Sequence, residues 1–104
     1  GAFNIYSLGA VSDDGIGSFA TNGNVGFIIV IINNTSTSST IGLTLYTGVA
    51  PIVLWGDADS AIVTGTTNPD TDTKLNIYCS DGKNVSIKNR LGIEKTISVM
   101  SFSY

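Results

Sequence analysis

The stretch Val25-Gly26-Phe27-Ile28-Ile29-Val30-Ile31-Ile32 decides the fold class of this chain. It contains no charged or polar side chain, and its β-branched residues favour a pleated strand over a helix. Because successive side chains of a strand point to opposite faces, this strand is apolar on both. A small sandwich usually buries one face of each sheet and leaves the other in water. The simplest cover for the second face is therefore another copy of the chain.

The composition also favours strands and turns. The chain has 104 residues, enough for one domain with a modest core. It contains twelve Ser, twelve Thr, twelve Gly and nine Asn, but one Glu, one Met and no Gln, so good helix formers are scarce. We expect residues 1–104 to be a single domain, excised as the C-terminal module of a longer chain.

The pattern of short apolar runs predicts an all-β fold, a jelly-roll-like β-sandwich of about seven to nine antiparallel strands. We expect strands at 3–8, 18–20, 25–32, 42–47, 51–55, 61–64, 74–79, 84–89 and 94–104, with a polar loop at 35–40 and tight turns at 22–24 and 80–83. The clearest hairpin joins 74–79 to 84–89 through the Asp81-Gly82 turn.

The last strand changes phase along its length. Ile97 and Val99 share one face, whereas Met100, Phe102 and Tyr104 share the other. Either a bulge re-aims the strand or both of its faces are buried. The second alternative makes it a companion of the 25–32 strand. The side chains that we expect at an interface between copies are Phe27, Ile29, Ile31, Met100 and Phe102.

Charge is sparse and divided along the chain. Only 12% of the residues are charged, and the formal net charge is −3. Residues 1–73 carry six Asp and no base, whereas residues 74–104 carry five bases and two acids. These are either solvated loop charges or an acidic surface of one subunit facing a basic surface of the next. A strong basic field is missing, so we expect no nucleic-acid partner. The apolar run is too short to span a bilayer as a helix, so we expect no membrane insertion.

The sequence contains few residues of the types that carry out catalysis. Without His, the Ser-His and Cys-His nucleophile pairs and a zinc site are excluded, and Cys79 lies in an apolar alternation typical of a buried residue. Two D-x-D pairs remain, Asp57/Asp59 and Asp70/Asp72. Each pair has three alternative interpretations: a structural turn, a cation site or a pair of catalytic carboxylates. We expect the turn, and hence no catalytic residue, no metal, no cofactor and no enzyme in this domain.

A sugar site is the one surface function that the residues suggest. Trp55 ends a strand beside Gly56 and Asp57, which places a flat apolar ring next to hydrogen-bond acceptors. We therefore take Trp55, Asp57, Asp59 and Tyr46 as candidate carbohydrate-binding residues. The alternative is that Trp55, the only Trp in the chain, fills a core or an interface, where Trp is common.

The segment Lys74–Gly92 resembles the ends of bacteriophage tail spikes and tail fibres. The shared pattern is a hairpin with Asp-Gly at its turn, then Ile-Lys-Asn-Arg-Leu-Gly, then one last strand, about thirty residues in all. The resemblance implies a homotrimeric β-structured module at the distal tip of a virion, outside the cell. Such tips lock three chains together, and some bind bacterial surface polysaccharide. Catalysis in such spikes usually belongs to a separate domain.

The function expected is therefore a C-terminal trimerisation and capping module of a phage tail spike or fibre. Two alternatives stay open. One is a monomeric carbohydrate-binding module centred on Trp55. The other is a structural adhesin or capsid-type sandwich with no sugar site.

Overall fold

Two β-sheets pack face to face in the computed structural model of this chain, which describes residues 2–21, 26–33, 38–57 and 61–103. Within these ranges the chain forms nine strands and no helix, which confirms the all-β sandwich. The strands are β1 (Ala2–Val11), β2 (Ile16–Ala20), β3 (Gly26–Asn33), β4 (Ser38–Tyr46), β5 (Val49–Trp55), β6 (Ile62–Gly65), β7 (Leu75–Tyr78), β8 (Asn84–Asn89) and β9 (Lys95–Ser103).

The large sheet has the order β1-β9-β3-β4-β5 and the small sheet the order β2-β8-β7-β6. β1 thus pairs with β9, and β2 pairs with β8. This is a nested arrangement of the jelly-roll type. One pair departs from the expected antiparallel pattern, because β6 and β7 run parallel. The long connection 66–74 allows this, since it carries the chain back to the starting end of the sheet.

Several strand boundaries differ from the sequence-based expectation. β1 continues through Gly9 to Val11, because a bulge at Leu8 absorbs the positive φ of Gly9 instead of ending the strand. Residues 38–40, expected in a loop, belong to β4 and pair with β3. The predicted turn at 22–24 lies outside the described residues.

The core lies between the inner faces of the two sheets. Alternate residues of β3, β4 and β9 meet alternate residues of β2, β7 and β8. The fully or almost fully buried apolar side chains are Val11, Phe19, Ile28, Val30, Ile41, Leu43, Leu45, Leu75, Ile77, Cys79, Val85, Ile87, Ile97 and Val99. The burial of Cys79 agrees with its position in an apolar alternation and raises the pKa of its thiol.

The phase change of the last strand occurs without a bulge in β9. Its register with β3 runs unbroken from Gly26↔Ser103 to Asn33↔Thr96. Ile97 and Val99 point into the core. The inner face then continues with Ser101 and Ser103, which are both buried. Met100 and Phe102 point outward. β9 therefore presents apolar side chains on both faces, but its outward face is not buried within this chain, since Phe102 is 39% exposed. Tyr104 lies outside the described residues.

Candidate functional site

The outer face of the large sheet carries several of the exposed large apolar side chains of the described residues. Strand pairing places its outward side chains in three rows that run across all or most of the sheet. Row one holds Phe3, Phe102, Phe27, Thr44 and Ile52; row two holds Ile5, Met100, Ile29, Gly42 and Trp55; row three holds Ser7, Ser98, Ile31 and Thr40. We call these three rows the outer face.

The five residues predicted for an interface, Phe27, Ile29, Ile31, Met100 and Phe102, all lie on this outer face. The structure brings them together because β3 and β9, the two strands apolar on both sides, are neighbours at the centre of the large sheet. The rings in row one contact one another, with centroids of Phe27 and Phe102 5.7 Å apart.

The sequence did not indicate that β1 and β5 would extend this surface. Phe3 contacts Phe102 with ring centroids 4.9 Å apart, and Ile5 pairs with Met100. Ile52 ends row one on the opposite side. The apolar alternation at Phe3 and Ile5 was visible in the sequence, but alternation alone cannot say which set faces outward.

The outer face combines exposure with lack of charge. Ile5 is 66% exposed and Phe3 51%, although both are large apolar side chains. None of its described residues is charged, a composition typical of the buried centre of protein interfaces. Given strand spacings of about 4.8 Å and rows about 7 Å apart, its apolar part projects over about 400 Å². The largest apolar patch of a monomer commonly covers about 300–600 Å² and is often functional.

Trp55 belongs to the outer face. Its ring lies over Gly42, where an added Cβ would come within 2.5 Å of ring carbons, and it contacts Phe27 at a centroid distance of 5.4 Å. The aromatic ring thus covers the strand position that Gly42 leaves bare. Trp55 is 44% exposed, so its ring does not fill the core of this chain.

The candidate sugar residues are only partly brought together. Trp55 and Tyr46 are each 44% exposed on the same face, about 14 Å apart along the strand direction. Asp57 lies beyond the end of β5, where its carboxylate accepts a hydrogen bond from the backbone N–H of Ile62 at 3.0 Å. This contact is that of a structural turn. Asp59 lies outside the described residues.

The outer face of the small sheet is chemically different. The hydroxyls of Ser18 and Ser86 hydrogen-bond across β2 and β8 at 3.0 Å. Beside them, the connection 66–74 folds against Asn76, whose amide is fully buried and bonds the backbone N–H and carbonyl of Thr71. This face carries polar side chains beside the exposed Ile16 and is partly covered by its own chain.

Acidic groups of the first 73 residues meet basic groups of the last 31 within one chain. Asp70 pairs with Lys88 at 2.8 Å, and Arg90 lies within 4 Å of Asp14, Asp70 and Asp72. The Lys88 ammonium lowers the pKa of Asp70 by a hydrogen bond and by its charge. At these residues, acidic and basic side chains from the two parts of the sequence therefore pair within one chain, without a second subunit.

The resembling motif forms a corner between the two sheets. The side chain of Asn89 is completely buried, donates to the carbonyls of Val11 and Ile93, and accepts from the backbone N–H of Leu91. Gly92 follows with φ of 91° and donates its N–H to Asp13. The motif therefore builds the fold, directing the chain from β8 into β9, and holds no catalytic arrangement among its described contacts.

Other chemistry finds little support in the described ranges. No three carboxylate or thiol groups gather there as metal ligands. No helix long and apolar enough to cross a bilayer occurs in that part of the chain.

Comparison with known proteins found no matching family model, no matching curated protein and no matching solved structure. The functional interpretation therefore rests on the residues of this chain and their geometry.

Proposed function

We propose that this domain is a self-associating end module of a bacteriophage tail spike or tail fibre, in which three copies cover one another's outer faces. The observation that supports it best is the uncharged, apolar outer face of the large sheet. Burying this face removes apolar area from water at about 25 cal/mol per Å². Its projected apolar area of about 400 Å² is about half of one partner's share in a standard interface, about 800 Å² of accessible surface.

The order of the strands places β9 inside the proposed contact surface. β9, the last strand, lies between β1 and β3 in the large sheet and supplies Met100 and Phe102 to the outer face. The hairpin, corner and last strand are built from the segment whose sequence resembles tail-spike ends. The proposed location is the distal tip of the virion, outside the host cell.

The first test changes the middle of the outer face. We expect Ile29→Asp to abolish the trimer, because an unpaired charge buried at an interface costs about 3–5 kcal/mol. Size-exclusion chromatography with light scattering measures the mass, and circular dichroism reports whether the strands persist.

The matched control is Ile93→Asp. Ile93 is 53% exposed and lies in the 90–94 connection, away from the outer face. We expect this variant to keep the wild-type mass. Equal masses of Ile29→Asp and wild type, or equal loss in both variants, contradict the proposal.

A carbohydrate-binding module remains the second candidate, favoured by the two exposed rings of Trp55 and Tyr46 on one face. The two functions compete for the same surface. Since Trp55 is the only Trp, its fluorescence reports directly on glycan binding. A saturable change with host surface polysaccharide, together with loss of the binding heat of Trp55→Ala in calorimetry, favours the second candidate; under the first, bound copies already cover this ring.

A further inference from the structure

We infer that one end of the core binds ordered water, held by the hydroxyls of Ser101 and Ser103 on β9. Both side chains lie on the inner face of the large sheet, in line with Ile97 and Val99. The two serines are 1% and 7% exposed, and neither hydroxyl has a hydrogen-bond partner among the described residues. This inference goes beyond the proposed function and does not depend on self-association.

Burial makes an unpaired hydroxyl unfavourable. A serine hydroxyl can donate one hydrogen bond and accept two, and in the unfolded chain it makes these bonds with water. With few exceptions, buried polar side chains in folded proteins keep a partner, which is another protein group or an ordered water molecule. Since no described protein group bonds either hydroxyl, ordered water is the partner that remains.

The neighbouring strand β1 adds an amide at this end of the core. Ser101 pairs with Asn4 of β1. The side chain of Asn4 faces inward, because those of Phe3 and Ile5 on either side of it face outward. An amide supplies two donors and one acceptor. Asn4 is partly exposed, so its amide lies where this end of the core meets the solvent.

The small sheet brings a third hydroxyl to the same level. Tyr6 of β1, which pairs with Val99, stacks on Phe19 of β2 with ring centroids 5.0 Å apart. Two residues beyond this stack, toward the same end of the sandwich, lie Ser101 on β9 and Thr21 just after β2. Thr21 is 2% exposed. The core therefore changes from apolar to hydroxyl-bearing at one level, on both sheets.

The dimensions of this site suit water and exclude a larger ligand. The two hydroxyl oxygens are almost inaccessible from the protein surface. Side chains two residues apart on one strand lie about 7 Å from each other, a gap that one or two water molecules span at about 2.8 Å per hydrogen bond. Serine is smaller than the Ile97 and Val99 that precede it on this face, so β9 fills less of the core here. A buried water typically makes about three hydrogen bonds, which these groups supply.

Oxygen-17 relaxation dispersion of the solvent tests the inference, because it counts long-lived water molecules inside a protein and does not respond to exchanging hydroxyl protons. We expect Ser101→Ala/Ser103→Ala to show one or two fewer long-lived waters than the wild-type chain, since apolar cavities stay dry. Circular dichroism shows whether the strands of the double variant persist.

The matched control is Ser98→Ala, which removes a hydroxyl from the outer face of the same strand. It should keep the wild-type number of long-lived waters. Equal numbers in the wild type and the double variant would overturn the inference, and so would an equal loss in the control.

A crystal structure of the wild-type chain decides the question where the double variant fails to fold. Water within hydrogen-bond distance of the Oγ atom of Ser101 or Ser103, about 2.7–3.2 Å, supports the inference. Protein atoms that close around both oxygens, with no water between them, overturn it.

Discussion

At the scale of single residues, buried amides hold the connections of this sandwich in place. Asn89 satisfies two carbonyls and one N–H at the corner after β8, and Asn76 fixes the connection 66–74 in the same way. Both side chains are completely buried. A buried amide stabilises only when its partners are satisfied, so these contacts specify the paths of two long connections.

We expect Asn89→Ala to lower the free energy of unfolding by about 1–3 kcal/mol, because it leaves the carbonyls of Val11 and Ile93 buried without their donor. Chemical denaturation at fixed protein concentration measures the loss. The control is Asn33→Ala, at an exposed strand end, with an expected change within about 0.5 kcal/mol. Equal effects of the two substitutions would contradict the structural role of Asn89.

Asp81 shapes the hairpin turn between β7 and β8. Its carboxylate accepts hydrogen bonds from the side-chain amide and backbone N–H of Asn84 and from the backbone N–H of Lys83. These bonds favour the charged form and hold the pKa of Asp81 far below its ordinary value. Gly82 follows with φ of 72°, a conformation that glycine adopts without strain.

The lowered pKa gives a pH dependence of known sign. A carboxyl group with a lower pKa in the folded state stabilises the fold above its unfolded pKa, about 3.9, and loses that contribution as the pH falls. We expect Asp81→Asn to be less stable than wild type at pH 7, with the difference shrinking below about pH 4. Urea denaturation at pH 7 and at a pH below about 4, at equal protein concentration, measures this difference in stability. A difference that stays constant with pH would contradict this role of the carboxylate.

At the scale of strands, β4 and β5 are coupled by a ring over a glycine. Gly42 has no side chain to cover the outer face of β4, and the ring of Trp55 occupies that space. The same ring reaches Phe27 on β3, so one residue links three strands. Such cross-strand contacts contribute roughly 0.2–1 kcal/mol each.

We expect Gly42→Ala to displace the Trp55 ring, because the new methyl group would lie 2.5 Å from its carbons. Emission of the only Trp should shift to longer wavelength as the ring leaves Phe27. Thr44→Ala, two residues along the same strand and face, is the control and should leave the emission unchanged. An unshifted spectrum in Gly42→Ala would show that the ring does not rest on this glycine.

Strand identity was predictable from local pattern, whereas strand neighbours were not. The 25–32 run and the phase change at Met100 and Phe102 indicated two strands apolar on both sides. That β3 and β9 would lie side by side depends on pairing between distant residues, which periodicity does not encode. The bulge at Leu8 and the parallel pair β6–β7 were missed for the same reason, since both are set by partners far along the chain.

At the scale of the whole molecule, the two outer faces divide the chemistry of the surface. The small sheet presents hydroxyls and ion pairs with their partners in place, whereas the large sheet presents an uncharged apolar surface. Assembly that buries the second surface links folding to association, so stability should rise with protein concentration. That this surface would include apolar side chains of β3 was predictable from the 25–32 run. That Phe3, Ile5 and Ile52 also belong to the outer face could be known only from the register of the paired strands.

Sedimentation equilibrium of the wild-type chain over a wide range of dilution tests the central claim most directly. The account predicts a mass three times that of the 10.8 kDa chain, falling only at high dilution. A single mass of 10.8 kDa at every concentration, with the strands intact, would show that the outer face stays open to water and would contradict the account.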